Sequence, residues 1–320
     1  MLSINFDRNY IGVAFSPYTK QTVNGQLHFF NNSDITDVKR QLAAISSRFN
    51  RIATYGMGTA FYNRFKDWDK ADSNCLIAKA AAEINAQIGR KIFTISQGVY
   101  QKPNDELQRI EIERAFRAAE YANRVFPGTV ESIIFTNEYF TENSRGLQVL
   151  EMIRSNKERA RQLGLAIGTR THVGGHILNP CSPSFAALKS IVEISDIIMC
   201  NIYPTSVTAR ASVDIAVETV TQFYWALRNC FTNINPKIKV IIGESGWASQ
   251  GKTSNDTPTS VSNLVNYWTK LGHWASFNKI PIYFFEAIDE PWKGDINSAE
   301  AHFGWWIRNG DTFVEKACFY

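Results

Sequence analysis

Two glutamates, Glu138 and Glu244, each follow a short apolar stretch of the sequence. Hydrolysis of a glycosidic bond requires a pair of carboxyl groups, because one protonates the leaving oxygen while the other stabilises or attacks the oxocarbenium-like carbon. A separation of about 5–5.5 Å between the two groups would permit covalent attack and retention of the anomeric configuration. The sequence supports this chemistry only if the fold brings the two stretches together.

Aromatic and charged residues surround these glutamates. Glu138 is followed by Tyr139, Glu244 is followed by Ser-Gly-Trp, and the apolar stretch at 281–286 continues into Ala-Ile-Asp-Glu-Pro-Trp-Lys. Such neighbours could raise the pKa of the acid so that it stays protonated near neutrality. A lone glutamate after a strand is more often a solvated or capping residue, and two with aromatic neighbours make that explanation less favoured. The pattern alone names no substrate.

Eight short, β-rich apolar stretches recur along the chain, with helical periodicity between them. The apolar stretches are 11–15, 51–55, 91–96, 132–137, 165–171, 196–201, 239–244 and 281–286. Helices are predicted at 34–49, with Ser33 and Asp34 as cap candidates, and at 104–125, 144–163, 212–230 and 259–277. Strands that alternate with helices indicate parallel β-α units.

Eight such units fit a single closed (β/α)8 barrel, which takes about 250 residues plus insertions. We expect one catalytic domain over residues 1–320, because no linker or composition break divides the chain. An open, doubly wound sheet is the alternative, but the sequence at 16–20, Ser-Pro-Tyr-Thr-Lys, lacks the Gly-rich phosphate turn that usually follows its first strand. Barrel enzymes carry their active residues at the carboxyl ends of the strands, so Glu138 and Glu244 should face one another across the barrel mouth.

The composition is that of an ordinary globular protein, with 44% hydrophobic and 20% charged residues among 320. The net charge of +4 is spread along the chain, which predicts no binding to nucleic acid or to a membrane. No stretch approaches the ~18–20 consecutive apolar residues of a transmembrane helix. The N-terminal residues form no signal peptide, so secretion would require that one had been removed.

Cysteines, histidines and sequons give weaker signals. The five cysteines form no CxxC pair, and the sequence leaves one or two disulfides open. His172 and His176 have the spacing of a zinc pair on a helix, but the two glycines between them argue against that helix. We therefore expect neither a metal nor a cofactor. Asn31 and Asn255 lie in N-x-S/T sequons, which are compatible with secretion.

Several segments resemble those of glycoside hydrolase family 17. Gly-Glu-Ser-Gly-Trp-Ala-Ser at 243–249 resembles the family's nucleophile motif, commonly G-E-T-G-W-P-S, and 285–293 resembles its eighth-strand segment, F-E-A-F-D-E-P-W-K. Residues 12–18 are similar to the first strand in the fungal and bacterial branches, and His-Phe-Gly-Trp at 302–305 is similar to the closing motif. Asn137-Glu138 resembles the signature of the larger clan of retaining (β/α)8 glycosidases. The resemblance spans residues 12 to about 306.

This resemblance implies hydrolysis or transfer at β-1,3-glucan with retention of configuration. Carried over by position, Glu138 is the acid/base, Glu244 is the nucleophile, and Asn137 binds the sugar 2-hydroxyl beside the cleavage site. Tyr203 would orient Glu244, and Tyr55 would line the site. Further substrate-binding or wall candidates are Trp247, Glu286, Glu290, Trp292, Lys293, Phe303 and Trp305.

The resemblance leaves the details of the activity open. Ser245 and Ala248 replace the usual Thr and Pro after the nucleophile, and residues 135–138 read Phe-Thr-Asn-Glu where V-G-N-E is commoner. Hydrolysis or transglycosylation, endo or exo action, and another substrate such as mixed-linkage glucan all stay open. A non-catalytic glycan-binding barrel is less favoured, since it would have little need for both glutamates. The polymeric substrate predicts a monomer that acts outside the cell or in the cell wall.

Overall fold

The computed structural model describes residues 4–20, 34–58, 73–253, 256–294 and 297–319. The barrel strands are β1 (Ile11–Ala14), β2 (Arg51–Ala53), β3 (Thr94–Val99), β4 (Val130–Asn137), β5 (Ala166–Thr171), β6 (Ile197–Asn201), β7 (Lys239–Ser245) and β8 (Ile282–Phe284). They pair in sequence order, and the barrel closes where Ile11 lies opposite Ile282 in a parallel pair. The predicted (β/α)8 barrel is confirmed, and the open sheet is excluded.

The helices alternate with these strands. They are α1 (Ile35–Ser46), α2 (Leu76–Ile88), α3 (Asp105–Val125), α4 (Asn143–Gln162), α5 (Gly175–Leu178), α6 (Pro183–Ile194), α7 (Ser206–Ala211), α8 (Val213–Ile234) and α9 (Val261–Phe277). The five predicted helices correspond to α1, α3, α4, α8 and α9. Asp34 caps α1 by accepting the N–H of Asp37 at 2.8 Å, while Ser33 lies outside the described residues.

Strand β3 begins three residues later than the sequence predicts, at Thr94 rather than 91. The reason lies in α2. Its Asn85 side chain accepts the backbone N–H groups of Ile92 and Phe93, each at 2.8 Å. Because these donors are bound to a helix side chain, the residues just before Thr94 do not join the sheet.

The chain divides into two compact units. The first comprises Met1–Ile52, Tyr203–Gln222 and Glu244–Tyr320, and the second comprises Ala53–Ile202 and Phe223–Gly243. In the first unit Trp268 stacks on Phe284 and on Trp305, with ring centroids 4.4 and 5.0 Å apart. The second unit has fully buried aliphatic side chains on its strands, such as Ile133 and Ile167. The expected single domain over residues 1–320 stays a prediction.

Beyond β8 the first unit continues into an antiparallel hairpin of β9 (Trp306–Asn309) and β10 (Thr312–Glu315). Arg308 donates to both carboxylate oxygens of Asp37, at 2.7 and 2.9 Å. Lys316, which is 1% exposed, donates to Asp289 and to the Ser249 hydroxyl at 2.7 Å each. These buried, charge-assisted hydrogen bonds attach the hairpin to the rest of its unit.

The five cysteines all lie in the described ranges, and none forms a disulfide. Within those ranges no helix is long and apolar enough to cross a membrane. The same residues contain no group of three His, Cys, Asp or Glu side chains that could hold a metal ion. The side chain of His176 and the sequons at Asn31 and Asn255 lie outside the described part of the chain.

Candidate active site

Strand β4 ends in a bulge that carries Asn137 and Glu138. The pairing of β4 with β5 shifts between Phe135 and Asn137, so Thr136 is the extra residue. Thr136 and Glu138 have positive φ angles, 61° and 54°. A positive φ is costly for a residue with a Cβ, and such residues concentrate at functional sites. The bulge interrupts the regular alternation of side chains between the two faces of the strand, and so changes the direction in which the last side chains point.

Glu138 is solvent-exposed and is held by a neutral amide. The side-chain amide of Asn201, at the end of β6, donates to Glu138 Oε1 at 2.9 Å and to Asn137 Oδ1 at 3.2 Å. The Glu138 backbone N–H donates to the carbonyl of Arg170 at 3.1 Å. One buried side chain, Asn201 at 1% exposure, thus fixes both residues of the Asn-Glu pair.

Tyr55 follows β2 and belongs to the same unit as Glu138. The Arg170 guanidinium lies 4.6 Å from the centre of the Tyr55 ring, within the range of a cation–π contact. Arg170 also donates to the Thr54 carbonyl at 2.7 Å and is 1% exposed. The buried guanidinium therefore holds the backbone and the ring at the end of β2.

Glu244 lies within β7 and is only 5% exposed. Its Oε2 accepts the hydroxyl of Tyr203 at 3.1 Å. The Tyr203 ring lies against Phe285 and Phe303 in edge contacts, with centroids 6.3 Å apart in each case. The aromatic contacts fix the Tyr203 ring, and the ring in turn positions the carboxylate.

Close packing accounts for the two glycines of the Gly-Glu-Ser-Gly-Trp segment. A Cβ on Gly243 would lie 2.7 Å from the Met199 Cβ, and one on Gly246 would lie 2.2 Å from the Phe285 carbonyl oxygen. Both positions therefore exclude any larger residue. Between them, the hydroxyl of Ser245 and that of Tyr267 are 2.7 Å apart, which fixes the backbone next to Glu244.

Two tryptophans predicted to bind or wall the substrate are packed inside instead. Trp247 is 2% exposed, and its indole N–H donates to the Pro258 carbonyl at 2.7 Å. Trp305 is fully buried, and its indole N–H donates to Glu315 at 2.6 Å. Neither ring offers an open face on which a sugar could stack. Trp292 and Phe303, by contrast, are half-buried.

Three charged side chains after β8 form a compact cluster. Lys293 lies 2.5 Å from Glu286 and also forms an ion pair with Glu290. Glu290 accepts the Ser16 hydroxyl and, at 3.0 Å, the indole N–H of Trp292. Both carboxyl groups are 1% exposed. Two acids therefore share one ammonium in a dry environment.

Burial and charge push the pKa values of these two acids apart. Burial raises the pKa of Glu286 well above its usual value, and the negative charge of Glu290 adds to this, against the opposing effect of Lys293. Burial also raises the pKa of Glu290, but Lys293 and the hydrogen bonds from Glu286, Lys293 and Ser16 outweigh it, so the net pKa is lowered. Glu286 therefore holds its proton to a higher pH than Glu290, which ionises first beside Lys293.

A family model, the BtgE/BtgC glycoside hydrolase domain, matches residues 12–304. The chain belongs to this family. A probable glucan endo-1,3-beta-glucosidase btgC of Aspergillus terreus is 32% identical over 114 residues, which are 32% of this chain and 17% of that protein. A glucan 1,3-beta-glucosidase of Candida albicans is 28% identical over 130 residues, which are 38% of this chain and 40% of that protein. The chain thus spans less than half the length of these relatives.

Solved structures share the fold of this BtgE/BtgC domain. An endo-laminarinase from Formosa Hel1_33_131 gives a TM-score of 0.70 at 17% identity and covers 95% of this chain and 84% of its own. An active-site mutant of a Rhizomucor miehei beta-1,3-glucanosyltransferase, in complex with laminaritriose, gives 0.63 at 18% identity and covers 92% of each chain. At these identities the likeness extends to the fold alone.

In this BtgE/BtgC domain, most predicted site residues lie at strand ends. In the second unit Asn201 joins Asn137 and Glu138, and Arg170 contacts both Glu138 and Tyr55. The first unit brings together Tyr203 with Glu244, and Glu286 with Glu290, Trp292 and Lys293. Sequence reasoning missed Asn201, Arg170 and Ser16. A signal existed for Asn201, which stands two residues before Tyr203 at the end of the same strand. Nothing local in the sequence marks Arg170 or Ser16.

Proposed function

We propose that this BtgE/BtgC domain is a member of glycoside hydrolase family 17 that cleaves or transfers β-1,3-glucan with retention of configuration. Its family, and the names of the relatives from Aspergillus terreus and Candida albicans, support glucan as the substrate. The observation that carries the assignment of roles is the contrast between two carboxyl groups. Glu138 is exposed and bonded by an amide, whereas Glu244 is buried and bonded by a tyrosine hydroxyl.

The reaction proceeds by double displacement. In the first step Glu138 gives its proton to the glycosidic oxygen while Glu244 attacks the anomeric carbon. The bond between that carbon and the oxygen breaks, its electron pair leaves with the oxygen, and a covalent glycosyl-enzyme forms. In the second step Glu138 takes the proton of an incoming hydroxyl, whose oxygen displaces Glu244 and restores the original configuration.

In this proposal other side chains of the protein bind the substrate, without a metal or a cofactor. Asn137 accepts and donates hydrogen bonds at the 2-hydroxyl beside the cleavage site, where such bonds strengthen in the transition state. Tyr55 lines the site on the side of Asn137 and Glu138. Further substrate-binding residues are Tyr203, Trp292 and Lys293. Glu286 and Glu290, each 1% exposed, hold the Lys293 ammonium in place. Trp247 and Trp305 are left out, because their rings are buried.

The acceptor in the second step decides between hydrolysis and transfer. Water gives a glucanase, and a sugar hydroxyl gives a transglucosylase. We propose that the protein acts as a monomer outside the cell or in the cell wall, where a polymeric β-1,3-glucan is found.

Product analysis tests this proposal. Reduced β-1,3-gluco-oligosaccharides of defined length are incubated with the protein, and the products are resolved over time by chain length and linkage. Shorter products alone mean hydrolysis, and products longer than the starting material mean transfer. If no β-1,3-gluco-oligosaccharide is turned over, the proposed substrate is wrong. If only mixed-linkage glucan is turned over, that glucan is the substrate instead.

Azide rescue tests the division of labour between the two glutamates. In Glu244→Ala, azide should attack the anomeric carbon directly and give a glycosyl azide of inverted configuration. In Glu138→Ala, azide should intercept the glycosyl-enzyme and give the retained configuration. The same configuration from both variants contradicts the assigned roles.

A further inference from the structure

A groove runs along the outside of the second unit, between α3 and α4. Its volume of about 530 Å³ lies within the range of about 300–1,000 Å³ that is typical of ligand sites. Tyr139, one of its lining residues, is the neighbour of Glu138 in the chain. The groove therefore begins next to the proposed acid/base and leads away from it over the helices.

The charges that line this groove cancel. Three basic side chains, Lys102, Arg109 and Arg159, are matched by three acidic ones, Asp105, Glu113 and Glu151. Arg159 donates to Glu113 at 2.6 Å, so these two charges already neutralise each other. A groove of this kind attracts neither an anion nor a cation, and an uncharged ligand suits it best.

Amide side chains give the groove its hydrogen-bonding capacity. Gln148 accepts the Tyr139 hydroxyl at 2.5 Å, and Asn156 donates to the Met152 carbonyl at 2.8 Å. A primary amide has two donors and two acceptor lone pairs, more than these single bonds use. Gln148 and Asn156 thus present both donors and acceptors to the groove. Sugar hydroxyls require both. Two other lining amides are engaged with the backbone, because Asn104 accepts the Leu107 N–H at 2.9 Å and Gln108 accepts the Lys102 N–H at 2.8 Å.

Gln101 supplies an independent sign of a missing donor. Its Oε1 atom is buried, and among the described residues no donor lies within hydrogen-bond distance of it. A buried acceptor without a partner costs about 1–3 kcal/mol, and a ligand hydroxyl would relieve this penalty once the Gln101 side chain turns its Oε1 atom towards the groove. Met152, part of the lining, offers an apolar surface to the sugar ring, while the Arg145 guanidinium lies over the Tyr139 ring, 5.2 Å from its centre.

We propose that the α3–α4 groove binds a segment of the β-glucan chain remote from the bond that is cleaved, an inference that rests on the proposed function. The neutral lining, the amides and the Gln101 acceptor select an uncharged, hydroxyl-rich chain. The groove adds affinity for long substrates, because short ones end before they reach it.

Two tryptophan variants of α4 test this groove. Ser155→Trp fills it, since Ser155 is an exposed lining residue, whereas Lys157→Trp puts the same side chain on an exposed position of the same helix outside the lining. We expect Ser155→Trp to raise the ratio of the KM for laminarin to the KM for a short laminari-oligosaccharide by about five- to tenfold, the equivalent of one or two lost hydrogen bonds. Lys157→Trp should leave the ratio unchanged. Equal ratios in both variants overturn the proposal.

Co-sedimentation with insoluble β-1,3-glucan shows whether the groove proposal or the proposed function is wrong. If the parent protein sediments with the glucan and Ser155→Trp does so as well as Lys157→Trp, the groove proposal is wrong while the glucan substrate stands. If the parent sediments without turning over glucan, a weaker co-sedimentation of Ser155→Trp still supports the groove. If the parent neither turns over nor sediments with the glucan, both proposals are wrong.

Discussion

The two carboxyl groups at the ends of β4 and β7 are held in opposite ways. Glu138 is exposed, has a positive φ of 54° and follows a bulge, and its carboxylate is bonded by an amide from β6. Glu244 is 5% exposed, lies in the regular part of its strand, and is flanked by glycines that leave no room for a Cβ. Backbone strain accompanies the first group, and tight packing accompanies the second.

This difference matches what each of the two proposed roles demands. An acid/base has to exchange a proton with a leaving group and then with an incoming acceptor, so it needs access to solvent. A nucleophile has to approach one carbon in one orientation, and misplacement of reacting groups is costly. Burial and an aromatic hydroxyl provide that fixed position at Glu244.

The largest expected effects come from replacing the two glutamates, and the two rate losses should differ in how they depend on the leaving group. Glu244→Gln should lower kcat by about a thousandfold or more on every substrate, because the covalent step is lost. Glu138→Gln should lower kcat/KM for β-1,3-glucan by about 10²–10⁴-fold, the usual contribution of a general acid. On an aryl glycoside with a strongly acidic phenol, Glu138→Gln should retain kcat/KM to within about tenfold, because that leaving group needs no proton. Equal losses for both variants on the aryl glycoside would contradict the comparison.

A second effect concerns the neutral groups that hold each carboxylate. Asn201→Ala and Tyr203→Phe should each lower kcat/KM by about 10–100-fold, since each removes a hydrogen bond to a charged group worth about 1.5–3 kcal/mol. Because Asn201 holds the proposed acid/base, the loss in Asn201→Ala should be smaller on the aryl glycoside with an acidic phenol than on β-1,3-glucan. Tyr203→Phe acts on the proposed nucleophile, so its loss should be similar on both substrates. The same dependence on the leaving group in both variants would contradict the separate roles.

A third effect concerns Glu286, which is buried like Glu244 and whose pKa is raised by that burial and by the charge of Glu290. Because its pKa is raised in the folded protein, the stability that it contributes is present below the ordinary pKa of a glutamate and is lost as the pH rises through the folded value. Glu286→Gln cannot ionise, so its Tm should fall less than that of the parent as the pH rises. Thermal melts of both proteins across a pH series measure this difference.

Glu290→Gln is the matched control for that series. The pKa of Glu290 is lowered on folding, so its contribution is present above the ordinary glutamate pKa and is lost as the pH falls through the folded value. Glu290→Gln should therefore be less stable than the parent at neutral pH, with a gap that narrows in acid. If the Tm values of the two variants change with pH in parallel, the pKa values of Glu286 and Glu290 are not shifted in opposite directions.

The smallest effect tests backbone strain away from the strand ends. Lys279 follows α9, is exposed, and has a φ of 55°. Lys279→Gly should stabilise the protein by about 0.5–1 kcal/mol, because glycine removes the left-handed penalty of about 1–2 kcal/mol at some cost in entropy. Lys279→Ala keeps the Cβ and should give no such gain, and neither variant should change activity. Chemical denaturation measures the free energy of unfolding of both variants. An equal gain in the two would mean that loss of the lysine charge, and not relief of backbone strain, causes the stabilisation.

Periodicity was enough to predict the barrel and five of its helices. It failed where a distant partner decides the local structure. The side chain of Asn85 delays β3, and the bulge at Thr136 depends on how β4 pairs with β5. Composition also cannot tell which tryptophan ring points inward, so the burial of Trp247 and Trp305 cannot be predicted from the sequence.

The buried ammonium of Lys316 bears on where a usable fragment of this protein can be cut. The family match ends at residue 304, yet Lys316 neutralises Asp289 and bonds to Ser249 in the segment that follows the Glu244 strand. A fragment trimmed to the family boundary would leave the Asp289 carboxylate buried without its counter-ion. Anyone who subclones the barrel for expression, fusion or display should therefore keep the hairpin and the residues through Lys316.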